Sequence, residues 1–213
     1  MPAREAVRIP KLVMIVALTL VLTLSGCRSR PPAVGFWFED GPYRFPTDVA
    51  ARLGGPLNDA EVASIERLSQ QEVERAFAGL KVTVTADHDA FWRVRVMPSL
   101  PTLKNQALPR AGESLALGML GGTGAVGFDF VTFNAVQFAP AGASRQAVRD
   151  GIGRGIGRVA VHEVMHQILG VASAHNDSDP DSYESGRADR PSQYYGELHW
   201  TTALPLLRQK FGG

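Results

Sequence analysis

The 213-residue sequence has one cysteine, Cys27, and no second to pair with it. An intrachain disulfide and a Cys-rich zinc site are both excluded. Neither charge is in excess, with 22 Lys and Arg against 21 Asp and Glu. Without a basic surplus there is no electrostatic case for nucleic acid as a partner. The uncharged N-terminal run Leu12–Gly26 is fifteen residues long, fewer than the roughly 20 of a membrane span. The chain is long enough for one domain with a real core and too short for two comfortable ones.

What is present at the N-terminus is the pattern of an export signal. Arg4, Arg8 and Lys11 precede the apolar run, which ends at Cys27. Leu24-Ser25-Gly26-Cys27 resembles the lipobox of bacterial lipoproteins. The resemblance implies cleavage before Cys27, a lipid on that cysteine and a place in the bacterial envelope, anchored to a membrane and facing the periplasm or exterior. Loss of residues 1–26 leaves 19 basic against 20 acidic residues. The following "RSRPPAVG" is rich in Arg, Pro and Gly, so residues 27–40 are expected to be a tether and 41–213 the folded domain.

Periodicity gives the elements. Asn58 followed by Glu61 has capping-box spacing, and Val62, Ile65, Val73, Ala76, Phe77 and Leu80 recur at helical intervals, which predicts a helix. Val82 and Val84, then Phe91, Val94 and Val96, read as two strands joined as a hairpin through "ADHD". Residues 98–113 hold three prolines and read as loop. Residues 114–138 read as strand, glycine turn and strand. Gly122-x-Gly124-x-x-Gly127 matches the dinucleotide fingerprint literally, but the following "FDFVTF" has strand periodicity. Without a helix opening at the glycines, a turn or a close approach of another backbone is expected there.

A long helix is expected from about Ser144 to Leu169. Val148, Ile152, Gly155, Val159, His162, His166 and Leu169 share an arc of roughly 100° on it, one buried stripe. The run "GIGRGIG" costs up to about 1 kcal/mol per glycine relative to alanine, and close packing on the sheet is the expected compensation. His162 and His166 lie one turn apart, so each can offer a ring nitrogen to one Zn²⁺. Glu163 points about 100° away from them. It suits a general base that takes a proton from water on the metal and returns it to a leaving amine. Four of the five histidines fall in the last quarter of the chain.

"HEVMHQILGVASAH" resembles the metzincin signature H-E-x-x-H-x-x-G-x-x-H of zinc metallopeptidases. The resemblance implies that a glycine ends the helix and that the chain returns with a third histidine. Here Gly170 comes one residue late, His175 three residues late, and no methionine follows Met165 to form a Met-turn. His175 is therefore the expected third ligand, with Asp189, His199 and Glu184 as alternatives. Gly186-Arg-Ala-Asp189 followed by Tyr194-Tyr195-Gly196 resembles the aspzincin pattern with two residues inserted. Glu197 lies in the same polar stretch, whose tyrosines are expected to fold over a cleft.

These readings converge on an α+β, zincin-like domain with a mostly antiparallel sheet packed on the long helix. The expected function is a zinc metallopeptidase acting on peptides or proteins. His162, His166 and His175 would hold Zn²⁺, Glu163 would be the base, and Tyr194 or Tyr195 would donate to the developing oxyanion. A non-catalytic envelope lipoprotein that uses such a fold for binding is the alternative, and an intact Glu163 argues for the enzyme.

Overall fold

The computed structural model describes residues 32–101, 110–117, 120–170 and 175–212; the leader, Cys27 and part of the 98–113 segment lie outside them. The first element is strand β1 (Ala33–Phe38), followed by helices α1 (Thr47–Arg52) and α2 (Asp59–Ala76). Strands β2 (Thr83–Thr85), β3 (Trp92–Met97), β4 (Gly112–Ala116) and β5 (Gly122–Gly127) come next. Helices α3 (Phe128–Gln137), α4 (Arg145–Leu169), α5 (Ser192–Tyr195) and α6 (Ala203–Phe211) complete the order. The fold is α+β. None of the described helices is long and apolar enough to cross a membrane.

The five strands form one sheet in the order β2-β1-β3-β5-β4. The pairs β1/β2, β1/β3 and β3/β5 are parallel, and only β4/β5 is antiparallel. The expectation of a mostly antiparallel sheet is thus corrected to a mixed one. The hairpin between β2 and β3 is also corrected. Both strands run parallel to β1, one on either side of it, and the connection at 86–91 passes over β1 between them. That crossing needs Gly35, because a Cβ there would collide with the carbonyl oxygen of Asp87. Strand β1, "AVGFWF", precedes the expected domain start at residue 41 and is an inner strand with Val34 and Phe36 in the core.

The segment after β5 is a second correction. "FDFVTFNAVQ" is helix α3, burying Phe128, Val131, Thr132, Ala135 and Val136. That is the i, i+3, i+4, i+7, i+8 set of an amphipathic helix, and the local Phe-x-Phe alternation hid it. A helix therefore does open after Gly127. Gly122 and Gly124 lie inside β5 instead of in a turn, and Oδ1 of Asp129 already accepts from the N–H of Phe130 at 2.7 Å in the first turn. A carboxylate at that helix N-terminus opposes a phosphate there. The glycines serve close packing. Cβ atoms at 122 and 124 would meet Gln167 of α4 at 2.5 and 3.0 Å. With that space clear, Gln167 donates to the carbonyl and accepts from the N–H of Arg93 in β3, both at 3.1 Å.

Two local readings hold. Asn58 and Glu61 form the reciprocal capping box at the start of α2. Helix α4 begins at Ser144, whose hydroxyl accepts from the N–H of Ala147 at 3.1 Å, and it ends at Gly170, whose φ of 85° suits glycine. The glycine run in α4 packs differently from expectation, against α2 and the two tyrosines of α5 and not on the sheet. Cβ atoms at Gly153 and Gly157 would meet Leu68 and Glu72 at 2.7 Å, and those at Gly151 and Gly155 would meet Tyr195 and Tyr194 at 2.7 and 2.6 Å.

Candidate metal centre

The last two turns of α4 carry His162, Glu163 and His166, the helix ends at Gly170, and His175 lies beside the two histidines. The Nε2 atoms of His162 and His166 are 2.9 Å apart, and those of His166 and His175 are 2.8 Å apart. All three ring nitrogens lie within 4.8 Å of one another, and no other such group of His, Cys, Asp and Glu exists among the described residues. Nδ1 of His162 lies 3.0 Å from the carbonyl oxygen of Tyr183. A carbonyl can only accept, so Nδ1 carries the proton and Nε2 presents its lone pair to the cluster.

Burial lowers the pKa of His162 against the opposing effect of the Tyr183 hydrogen bond. His166 falls to about 4, through burial first and then its neighbours His162 and His175. Neutral rings bring lone pairs together. Each Nε2 has one proton or one lone pair in the ring plane, so a single N–H shared by the central His166 leaves two lone pairs facing each other. A cation between the rings satisfies all three nitrogens at once. The donor set therefore fits a metal ion of the kind that imidazole binds.

Glu163 lies beside the cluster, 8% exposed. Its pKa rises to about 7, chiefly from burial; Ser114 and Arg110 pull it down and Glu113 pushes it up. The carboxylate sits under β4 at a position where a Cβ on Gly112 would lie 2.5 Å from its Oε1. Histidines and glutamate open on a cleft of ≈ 570 Å³. Its walls include Arg110 ahead of β4, Gly112 at the start of β4, Phe130 of α3, the 185–189 segment and Leu198. A buried base of near-neutral pKa next to a nitrogen cluster can exchange a proton with whatever binds there.

The other candidate residues lie apart from this cluster. Asp189 lines the cleft, but its side chain is 67% exposed and faces Arg187 at 3.6 Å. His199 pairs with Asp179 at 3.1 Å on the surface, and Glu197 is exposed. Glu184 is buried with Oε1 accepting from the N–H groups of Thr201 and Ala203 at 2.7 and 2.8 Å, at the start of α6. The expectation for the two tyrosines is corrected. The hydroxyls of Tyr194 and Tyr195 donate to the carbonyls of Ala188 and Ala135 at 2.8 and 2.5 Å, and neither residue lines the cleft. They pack the glycine face of α4 instead.

Gly112 and Tyr183 went unnoticed in the sequence. Residue 112 fell in a segment read as loop, and Tyr183 contributes a backbone carbonyl, which no side-chain pattern marks. The fifth histidine, His88, lies in the 86–91 connection and stacks on Trp37 of β1 at 4.3 Å. No family model, curated protein or solved structure matches the chain.

Proposed function

We propose that the chain is a zinc-dependent metallopeptidase of the zincin type, hydrolysing peptide bonds in peptides or proteins. The observation that carries this reading is the meeting of three imidazole nitrogens in a cleft, with the buried carboxyl of Glu163 beside them. His162, His166 and His175 would hold the Zn²⁺. Bound there, the ion would supply Lewis acidity, which lowers the pKa of water and polarises a substrate carbonyl. Glu163, with a pKa near 7, takes the proton of the attacking water on its carboxylate and delivers it to the leaving amine nitrogen. The Tyr183 carbonyl holds the tautomer of His162 that presents Nε2. With Tyr194 and Tyr195 engaged elsewhere, an oxyanion donor has to come from the cleft walls, where Arg110 and Arg187 are the cationic side chains nearest the surface.

The N-terminal pattern extends the proposal to an envelope lipoprotein anchored to a membrane through Cys27. The deciding experiment is metal analysis of the full-length chain together with cleavage of a broad peptide library. Zinc near one equivalent with cleavage, and Glu163→Gln retaining zinc without cleavage, are the expected results. A wild-type chain that binds no divalent metal, or a Glu163→Gln variant that cleaves normally, refutes the reading.

A further inference from the structure

Arg158 lies one turn before His162 on α4, and its side chain is wholly buried. Its Nε donates to Oε1 of Glu72 on α2 at 2.9 Å. Nη1 and Nη2 donate to the carbonyls of Ser192 and Gly196 at 2.7 and 2.9 Å. The same Oε1 of Glu72 accepts from the hydroxyl of Tyr183 at 3.1 Å. Tyr183 is therefore held at both ends, by its hydroxyl on Glu72 and by its carbonyl on Nδ1 of His162. We propose that the buried Glu72–Arg158 pair is a positioning device that, through Tyr183, fixes the ring orientation and tautomer of His162.

Stability alone does not account for the pair. Burying two charges incurs a desolvation penalty that the mutual attraction roughly offsets, and apolar residues of similar volume commonly serve as well or better. What an apolar pair cannot do is direct bonds. Glu72 is 1% exposed and reaches Arg158 across a helix contact made possible by Gly157, where a Cβ would lie 2.7 Å from the Cβ of Glu72 and 2.6 Å from the carbonyl oxygen of Ser69. One carboxylate oxygen thus ties together α2, α4 and the 183–196 segment, and the segment's carbonyl is the acceptor on which the imidazole is aligned. A residue that orients a metal-binding histidine in this way typically changes metal affinity by about 10–100-fold when removed.

The inference rests on the metal reading only for its consequence, since the ring orientation is measurable without metal. Two full-length variants test it. Glu72→Leu/Arg158→Met removes both charges and keeps the volume; Tyr183→Phe removes one hydroxyl and leaves the carbonyl. Long-range ¹H–¹⁵N spectra of the metal-free protein read the His162 tautomer, and titration with Co²⁺ reads affinity and the visible spectrum of the site. The expected result is a His162 that is Nδ1-protonated in the wild type and of mixed tautomer in both variants. Co²⁺ binding should weaken by about tenfold or more in the double variant and less in Tyr183→Phe. Circular dichroism shows which variants are folded. If the double variant does not fold, Tyr183→Phe decides alone. A wild-type His162 signal in every folded variant overturns the proposal whatever the affinities. A wild-type chain that binds no Co²⁺ overturns the metal reading and leaves the tautomer comparison to decide this one.

Discussion

Gly112→Ala is the substitution for which the structure gives the sharpest expectation. The added Cβ would lie 2.5 Å from Oε1 and 2.9 Å from Cγ of Glu163, and 2.7 Å from Cγ1 of Val159. Carbon atoms are comfortable at about 3.5–4.0 Å, so either β4 lifts from α4 by about 1 Å or Glu163 leaves its place. Because β4 pairs only with β5 and forms the edge of the sheet, the strand can yield, at a cost of about 1–3 kcal/mol for overpacking. That corresponds to a fall in Tm of roughly 3–10 °C for a chain of this size. Turnover should suffer more, since a misplacement of about 1 Å in a catalytic group costs on the order of 10²-fold. Metal content should stay near wild type, because the three atoms nearest the new methyl belong to Glu163 and Val159. Thermal melting, metal analysis and peptide hydrolysis on the same preparation give the three values. Unchanged Tm together with unchanged turnover would refute the packing of β4 on Glu163.

His175→Ala should weaken zinc binding by orders of magnitude while Asp189→Ala leaves it within a few-fold, as read by chelator competition; the reverse order would assign the third ligand to the aspartate. Cys27→Ser should abolish incorporation of a fatty-acid probe in cells, and equal labelling of both proteins would remove the lipid anchor from the proposal. Glu61 accepts from Nε and Nη2 of Arg145 at 2.7 Å each, and this pairing first, with backbone help from Asn58, lowers its pKa from 4.5 to about 2. A carboxyl depressed by folding contributes stability that is full above its unfolded value and is lost as the pH falls from about 5 towards 2. Glu61→Gln should therefore cost on the order of 2 kcal/mol at pH 7, after allowance for the partly exposed arginine, and almost nothing near pH 2. Denaturant unfolding at both pH values checks it, and an equal loss at each would show that charge is not the cause.

The sequence by itself determined what rests on neighbours within a turn or two. The cap at Asn58, the span of α4, its end at Gly170 and the shared face of His162 and His166 all follow from i, i+3 and i+4 relations and from the backbone freedom of glycine. It also named His175, but left it beside Asp189, His199 and Glu184, because the course of a returning chain depends on what it packs against. The tertiary structure separated these four: His175 lies 2.8 Å from His166, while Glu184 turns to the backbone ahead of α6. Parallel pairing was equally out of reach, since whether β2 and β3 meet each other or flank β1 is fixed by a strand some 50 residues earlier. Helix α3 was misread because its short-range alternation imitates a strand until burial against Tyr43 and the core selects the 3.6-residue period. The hydroxyls of Tyr194 and Tyr195 went to carbonyls that only the folded chain brings near. The acceptor for His162 is a main-chain oxygen, a group every residue carries, and only the fold decides which one arrives.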